Sequence, residues 1–295
     1  MNKLRVAFVD VWPEFKDENI FLPMLQKHFD VEINEVDPDI VFYSTFGGMV
    51  ESQKYKCKKI LFIGENYRSR NYPHDYSISF DPHSATNYCL PLWQFYLLLD
   101  PGLKDHLFNR DTKTSFERFC SFTVSNPNNF FRNGFYDQLN SYKRVHSYGR
   151  FKTNDFSLQH YQKLHISNTK IKQPEYWRNS KYLFFLEHKH KFVITFENSS
   201  YPGYVTEKLM DGFLGGSIPI YWGSPKIKEE FNEKAFINVM NFSNKDVIEY
   251  IKLIDNDNNE FLKIYSELPF TEEQKQRHLD NMQNFEIWLI NKIKK

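Results

Sequence analysis

Short apolar runs recur along the chain, and they are separated by segments in which apolar residues repeat with helical spacing. Most of these runs are rich in β-branched or aromatic residues and are bounded by polar ones, a pattern that predicts β-strands. The predicted strands cover residues 4–11, 40–45, 59–64, 76–80, 119–124, 191–196, 218–222 and 236–239. Between the first two strands, apolar side chains from Phe21 to Phe29 share one helical face, which predicts a helix over 20–29.

Further helices are predicted over residues 128–139 and 206–214, from about residue 244, and over about 271–295. Strands that alternate with helices in two series indicate an α/β architecture of two doubly wound, Rossmann-like halves with parallel sheets. We place an N-terminal domain at 1–111 and a C-terminal domain at 112–270, with the helix at about 271–295 as a candidate to pack back on the first domain. The polar segment 152–190 shows no clear period, and we predict an irregular insertion there.

Length and composition agree with two globular domains and exclude several classes of protein. The 295 residues carry 38 Lys and Arg against 37 Asp and Glu, and a net charge of +1 argues against nucleic acid as a partner. Aromatic residues make up 18% of the chain. They either fill the core in place of aliphatic residues or pack against sugar rings or nucleobases.

Three widely spaced cysteines without a C-x-x-C pair indicate reduced thiols and a cytoplasmic location, and they exclude a cysteine-based zinc site. The short apolar stretch closed by Asp10 predicts a first strand and no signal peptide, and no apolar run approaches the ~20 residues of a membrane helix. The basic C-terminal helix either packs on the protein body or makes peripheral contact with a membrane surface.

Several common catalytic patterns are missing from the sequence. No G-x-G-x-x-G follows the first strand, and P-loop, H-E-x-x-H and G-x-S-x-G motifs do not occur. The D-x-D pairs at residues 37–39 and 255–257 lie in turn-like contexts, where aspartate caps are common. His188 and His190 are two residues apart, a spacing that does not present both to one metal on a helix. We therefore predict no metal site.

The most informative segment is 191–224, where a predicted buried strand ends in the polar pair Glu197 and Asn198. A glycine-containing turn follows, and Thr206 is the predicted N-cap of a helix with Glu207 and Lys208 in its first turn. A strand, a tight turn and a helix N-terminus form an anion site, to which Lys208 adds a positive charge. Glu207 either binds a ribose or sugar hydroxyl or is an ordinary acid favoured by the helix dipole.

This segment resembles the donor-binding motif of the alpha-1,3-fucosyltransferase family, glycosyltransferase family 10. Three pieces stand in the family's order: Phe196–Asn198, Gly203–Lys208 and Ile218–Ser224. Other blocks similar to the bacterial members are Gly64-Glu65-Asn66, Ser125-Asn126-Pro127, Arg132-Asn133, Phe135-Tyr136-Asp137 and Tyr148-Gly149-Arg150. The resemblance covers roughly residues 60–240 and fades in the first 50 residues, in 152–190 and after about 243.

The resemblance implies a GT-B fold, in which two facing Rossmann-like domains hold the active site in their cleft. It implies an inverting transfer of L-fucose from GDP-β-L-fucose, held by the C-terminal half, to an oligosaccharide acceptor held by the N-terminal half. The expected acceptor group is the 3-OH of GlcNAc in a lactosamine-type glycan. No metal cofactor is expected to be required, because cationic side chains can neutralise the diphosphate, and Mn²⁺ or Mg²⁺ would at most stimulate the reaction.

The resemblance also implies roles for individual residues. Arg132 and Lys208 are the expected clamp for the leaving diphosphate, because a guanidinium and an ammonium stabilise charge that grows on phosphate oxygens. Glu65 is the expected general base, with Glu207 as the rival base or as a ligand of sugar hydroxyls. The full expected donor-binding set is Asn126, Arg132, Glu197, Asn198, Tyr204, Val205, Thr206, Glu207 and Lys208.

Two other functions remain open at the level of sequence. One is a GT-B transferase that uses a different nucleotide sugar, which donor competition would distinguish. The other is a non-catalytic module that binds a sugar nucleotide, against which the presence of Glu65, Arg132, Glu207 and Lys208 argues. We expect a cytoplasmic protein with at most peripheral contact at the inner face of the membrane.

Overall fold

The computed structural model describes residues 1–16, 19–110, 115–167 and 174–294. The chain divides into two units, one formed by Met1–Pro101 together with Gln276–Lys295, the other by Gly102–Lys275. The domain boundary expected from the sequence, between 111 and 112, falls on residues outside the described ranges. The structural division comes earlier, after Pro101, and assigns the start of the last helix to the second unit.

The first unit is built around a six-stranded sheet in the order β2-β1-β3-β4-β5-β6, in which every strand pair is parallel. Its strands are β1 (Lys3–Val9), β2 (Asp30–Ile33), β3 (Ile40–Tyr43), β4 (Lys58–Phe62), β5 (Tyr76–Ser79) and β6 (Asn87–Cys89). Helices α1 (Phe21–Gln26) and α2 (Leu92–Leu99) belong to the same unit. The central strand β3 is buried along its whole length, as expected for a parallel sheet covered on both faces.

The second unit contains a five-stranded parallel sheet in the order β11-β10-β9-β7-β8. Its elements, in chain order, are α3 (Leu103–Asn109), β7 (Arg118–Phe122), α4 (Phe130–Tyr142), β8 (Val145–Ser147), α5 (Ser157–Ser167), α6 (Pro174–Glu187), β9 (His190–Ile194), α7 (Lys208–Leu214), β10 (Ile218–Tyr221), α8 (Ile227–Glu230), β11 (Ile237–Asn238), α9 (Asn244–Asn256) and α10 (Asn258–Tyr265). The long helix α11 (Glu272–Lys294) continues into the first unit. No helix in the described part of the chain is long and apolar enough to cross a membrane.

The two sheets share one strand order. Numbered from its own first strand, each sheet begins 2-1-3-4-5, so the direction of winding reverses between β1 and β3 in the first unit and between β7 and β9 in the second. In doubly wound sheets, ligands bind outside the carboxyl ends of the strands at this reversal. The loops that follow these four strands are therefore the expected ligand-binding loops.

The periodicity located the longer strands within a few residues but missed three short ones. β2 is a half-exposed edge strand, and β6 and β8 have three residues each, too few to show an alternation. Residues 168–173 lie outside the described ranges. For the described remainder of 152–190 the prediction of an irregular insertion is wrong, because α5 and α6 lie there. Their apolar anchors Leu158, Phe184 and Phe185 pack with Tyr148 in a small separate cluster, which a mostly polar sequence conceals.

Arg110 ties several loops of the second unit together from inside. Its side chain is buried and donates hydrogen bonds to the carbonyl oxygens of Ser217 at 3.0 Å and Glu267 at 2.8 Å. It makes longer bonds to the carbonyls of Ala235 and Ile264. Burial lowers the pKa of the guanidinium to about 10, so it stays charged at neutral pH.

Replacing Arg110 by methionine is expected to lower the free energy of unfolding by about 2–3 kcal/mol, because the substitution removes the charged hydrogen bonds that the guanidinium donates to buried carbonyl oxygens. Urea denaturation measures the loss, with the exposed Arg70→Met as the matched control that stays within about 0.5 kcal/mol of wild type. Equal unfolding midpoints for Arg110→Met and wild type would show that these loops do not depend on the guanidinium.

Candidate functional site

The candidate site of the second unit lies at the reversal point of its sheet, where the loops after β7 and β9 meet. Asn129, in the loop after β7, donates through Nδ2 to the carbonyl oxygens of Glu197 and Asn198, both at 3.2 Å. The same asparagine caps α4, since its side chain accepts from the backbone N–H of Arg132 at 2.9 Å. One side chain thus links the start of α4 to the strand end that carries the sequence signature.

Glu197 is the centre around which the motif pieces assemble. Its carboxylate is fully buried and accepts from the backbone N–H of Thr206 at 2.8 Å and from the Thr206 hydroxyl at 2.6 Å. Its own N–H donates to the carbonyl of Trp222 at 2.8 Å. A side chain at Gly223 would lie 2.5 Å from the Glu197 Cγ, so the glycine leaves room for the carboxylate. Glu197 therefore holds the loop together from within and does not face the open site.

Lys208 and Glu207 are the partly exposed charged groups of this loop, each with 23% of its side chain accessible. The Lys208 ammonium lies 3.3 Å from the Glu197 carboxylate, 3.7 Å from that of Glu207 and 3.0 Å from the Thr206 hydroxyl. Oxygen atoms of three side chains thus lie near the ammonium, and the lysine side chain as a whole stays partly accessible.

The predicted helix start is wrong by two residues. α7 begins at Lys208 with Glu207 as its N-cap, and the Thr206 side chain bonds Glu197 instead of capping the helix. The buried carboxylate outcompetes the helix end because a charge-assisted hydrogen bond is stronger than a neutral cap. With only seven residues in α7, the case for anion binding rests on side-chain charges and not on the helix N-terminus.

Arg132 lies under the loops and not on the open surface. The residue is 1% exposed, and its guanidinium donates to Asn198 Oδ1 at 3.0 Å and to the carbonyl oxygen of Asn126 at 2.6 Å. Burial lowers its pKa, which the nearby Glu197 carboxylate partly offsets. Its Nε atom has no hydrogen-bond partner in the described part of the chain. Arg132 thus orients Asn198 and brings a buried positive charge to the site.

The expected donor-binding residues separate into two groups by exposure. Asn198, Glu207 and Lys208 are partly accessible, and Asn126 is exposed. Tyr204 and Val205 are completely buried, so in this structure they shape the turn and offer no side-chain surface to a ligand. Thr206, Glu197 and Arg132 are buried as well. These three side chains affect the site indirectly, because they position the partly accessible residues Asn198 and Lys208 through hydrogen bonds and charge.

A pocket adjoins Lys208 between the sheet and helices α6 and α7. Phe185 and Phe196 contribute apolar walls, and Ser121 and Thr123 contribute hydroxyl groups. Both hydroxyl oxygens are buried and have no hydrogen-bond partner among the described residues. The sequence reasoning missed this pocket, because a serine and a threonine at the end of a strand give no distinct signal.

Tyr148-Gly149-Arg150, another block of the resemblance, has a structural explanation in part. A Cβ at Gly149 would overlap the backbone of Val124, so only glycine allows the two strand ends to approach this closely. Tyr148 is buried against His190, with 2.8 Å between the phenol oxygen and Nε2. Tyr148 and Gly149 therefore pack the end of the sheet, whereas Arg150 is exposed.

Glu65 lies in the first unit, three residues after β4, and its side chain is exposed. The loop that carries it is anchored by Asp81, which accepts from the backbone N–H and hydroxyl of Ser69 at 2.8 and 2.7 Å. Arg68 pairs with Asp81 at 3.0 Å and also donates to Asn66. An exposed carboxylate on an anchored loop is a suitable position for a general base.

Half-exposed aromatic rings follow the two strands at the reversal point of the first unit. Trp12 comes three residues after β1 and Phe46 three residues after β3, with ring centroids 5.7 Å apart. Phe46 is 48% exposed. Within the described ranges, no cluster of three or more His, Cys, Asp or Glu side chains is arranged to hold a metal ion.

Two family models match the chain. Residues 6–96 match the alpha-(1,3)-fucosyltransferase FucT N-terminal domain, and residues 113–284 match the C-terminal region of glycosyltransferase family 10 (fucosyltransferase). Together they cover most of both units.

Among curated proteins, the chain is 30% identical to an alpha-(1,3)-fucosyltransferase FucT of Helicobacter pylori over 90% of its own length. It is 37% identical to alpha-(1,3)-fucosyltransferase B of Drosophila melanogaster over 42% of its length. The chain spans only 60% and 27% of these relatives.

Solved structures of an alpha1,3-fucosyltransferase share the fold. One, with 24% identity, gives a TM-score of 0.71 over 97% of this chain and 90% of the other. Another, described as a complex with GDP-fucose, gives 0.68 with 23% identity over 97% and 91% of the two chains. The predicted α/β, GT-B fold of two Rossmann-like domains is confirmed.

Proposed function

The chain belongs to glycosyltransferase family 10, the fucosyltransferases, and from this premise we propose that it transfers L-fucose from GDP-β-L-fucose to a hydroxyl of an oligosaccharide. The observation that carries the proposal is the arrangement after β9, where Lys208 lies beside the carboxylates of Glu197 and Glu207 and lines a pocket. Arg132 holds Asn198 in the same loop. The H. pylori relative and the GDP-fucose complex are named for the same chemistry.

The second unit is our proposed donor-binding unit. The Lys208 ammonium and the buried Arg132 guanidinium supply the positive charge that a leaving diphosphate needs. Asn198, oriented by Arg132 through a 3.0 Å bond, keeps its amide N–H₂ available for the donor. Glu207 accepts hydrogen bonds from hydroxyl groups of the ribose or the sugar in this proposal.

The pocket beside Lys208 is the proposed site for the nucleoside part of the donor. The unpartnered hydroxyls of Ser121 and Thr123 offer donors and acceptors, and Phe185 and Phe196 offer apolar faces. A nucleobase is a flat ring with a polar edge, so in this proposal its face packs against the phenylalanines and its edge bonds the hydroxyls. A ligand there would satisfy buried hydroxyls that the protein itself leaves unsatisfied.

The first unit is our proposed acceptor-binding unit. Trp12 and Phe46 present aromatic rings at the reversal point of the sheet, where the apolar face of a pyranose packs well. Glu65 follows the neighbouring strand and carries an exposed carboxylate. The 3-OH of GlcNAc in a lactosamine-type glycan is the proposed acceptor hydroxyl.

The proposed reaction is an in-line displacement with inversion at the anomeric carbon. The Glu65 carboxylate takes the proton of the acceptor hydroxyl, the acceptor oxygen forms the new bond to C1, and GDP leaves with the electrons of the broken bond. Negative charge then grows on the β-phosphate, where Lys208 and Arg132 stabilise it. Glu207 is the rival base. These side chains supply the charge without a metal, so Mn²⁺ or Mg²⁺ is proposed as a stimulant at most.

A donor panel tests the proposal directly. The purified chain is incubated with GDP-fucose, GDP-mannose or UDP-galactose and a lactosamine acceptor, each with EDTA or with Mn²⁺, and release of the nucleotide is followed. We expect release from GDP-fucose alone, and release in EDTA at no less than a tenth of the rate with Mn²⁺. Equal turnover of another donor would favour a transferase for a different nucleotide sugar, and no turnover of any donor would favour a non-catalytic binding module.

A further inference from the structure

We propose that Glu197 is a positioning residue that presets the Lys208 ammonium for the leaving diphosphate, acting through the Thr206 hydroxyl. The inference rests on the proposed function of the same site. It assigns to a fully buried carboxylate a role in the reaction that needs no contact with the donor.

A continuous chain of hydrogen bonds connects the two charges. The Lys208 ammonium donates to Thr206 Oγ1 at 3.0 Å, and the Thr206 hydroxyl donates to Glu197 Oε2 at 2.6 Å. Because the Thr206 hydroxyl donates its hydrogen bond to the carboxylate, a lone pair of the hydroxyl oxygen can accept from the ammonium. The direct distance of 3.3 Å between Lys208 and Glu197 adds an ion pair to the chain.

The surroundings make this arrangement rigid. The other oxygen of Glu197 accepts from the backbone N–H of Thr206 at 2.8 Å, and Gly223 packs against its Cγ. Burial raises the pKa of the Glu197 carboxyl, while the Lys208 ammonium and the Thr206 donors oppose that rise. A lysine side chain is otherwise flexible and loses conformational entropy when a ligand orders it. If Glu197 orders Lys208 before the donor binds, donor binding no longer includes this loss of entropy.

A merely structural carboxylate would have a different consequence. It would stabilise the loop, and its replacement would lower activity by the same factor whether or not Lys208 is present. A positioning carboxylate acts through Lys208, so its replacement has no further effect once the ammonium is gone. A double-mutant cycle separates these cases, because groups in one hydrogen-bond network show non-additive effects.

The experiment compares wild type, Glu197→Gln, Lys208→Ala and the double variant in the full chain. We expect Glu197→Gln to lower kcat for fucosyl transfer about tenfold and to weaken GDP binding about three- to tenfold. In the Lys208→Ala background, the same substitution should change both quantities less than about twofold. Equal factors in the two backgrounds would overturn the proposal.

Thr206 provides a second route to the same test if Glu197→Gln does not fold. Thr206→Val removes the linking hydroxyl at nearly constant volume and should reproduce the loss of turnover, whereas Thr206→Ser should restore it to within about twofold of wild type. A fully active Thr206→Val variant would overturn the proposal. GDP binding is measured by calorimetry throughout. If no variant transfers fucose but the effects of the Glu197 and Lys208 substitutions on GDP binding are still non-additive, the proposed reaction is refuted. The positioning of Lys208 by Glu197 is then still supported.

Discussion

Replacing Glu65 by glutamine is expected to lower the rate of fucosyl transfer by about 10²–10⁴-fold, the range that removal of a general base produces. The amide has nearly the same shape as the carboxylate but cannot accept the proton of the acceptor hydroxyl. Because Glu65 is an exposed loop residue of the first unit, the substitution should leave the fold and the GDP affinity of the second unit unchanged. Initial rates at saturating donor and acceptor measure the effect.

The matched control is Glu32→Gln, since Glu32 is another glutamate of the first unit, on the edge strand β2, with 42% of its side chain exposed. It should keep turnover within about twofold of wild type. Full activity of Glu65→Gln would remove Glu65 from the base role. A loss of the same size in Glu207→Gln at unchanged donor affinity would then assign the role to the rival carboxylate.

Replacing Lys208 by alanine is expected to lower turnover by about 10²–10³-fold, the loss that follows removal of one group that stabilises developing charge. The GDP dissociation constant should rise as well, because the diphosphate loses its accessible ammonium. The substitution also leaves the Glu197 carboxylate buried without its ion-pair partner. Calorimetry with GDP and steady-state kinetics with GDP-fucose measure the two effects.

Lys226→Ala is the control for this prediction, because Lys226 belongs to the same unit, has 56% of its side chain exposed and pairs only loosely with Glu229 at 3.5 Å. It should change neither GDP affinity nor turnover by more than about twofold. Unaltered GDP affinity and turnover in Lys208→Ala would refute the assignment of Lys208 to the diphosphate.

The sequence predicted the architecture because strands in parallel sheets leave a strong pattern. The apolar runs from Ile40 and Ile218 predicted strands, and both strands are fully buried in the structure. The motif also placed Glu197 and Lys208 around one turn after a single predicted strand, and their charged groups lie 3.3 Å apart in the structure.

The roles within the site could not be predicted to the same extent, because they depend on three-dimensional competition for hydrogen bonds. Thr206 has the residue type of an N-cap, yet a buried carboxylate nine residues earlier takes its hydroxyl. Arg132 has the charge of a phosphate ligand, yet the structure buries it under Asn198 and Asn126. The spacing of residues along the sequence does not show which of two polar groups will form a hydrogen bond with a given side chain.

The same limit applies to α5 and α6. Of their few apolar anchors, Phe184 and Phe185 pack against Tyr148, which lies more than 30 residues earlier in the chain. A local sequence window therefore does not contain the whole cluster. The pocket beside Lys208 depends in part on α6, through Phe185 and Lys181. The part of the chain with the weakest sequence signal therefore contributes a wall of the proposed nucleoside site.

The most direct test of the central claim is product analysis by mass spectrometry. The purified chain is incubated with GDP-fucose and N-acetyllactosamine, or with the β1,3-linked isomer of that disaccharide, and the anomeric configuration of any product is determined by NMR. We expect the addition of one deoxyhexose in α linkage to the 3-OH of GlcNAc in N-acetyllactosamine. If the protein is folded and GDP-fucose stays intact with both acceptors, the proposed fucosyl transfer is contradicted.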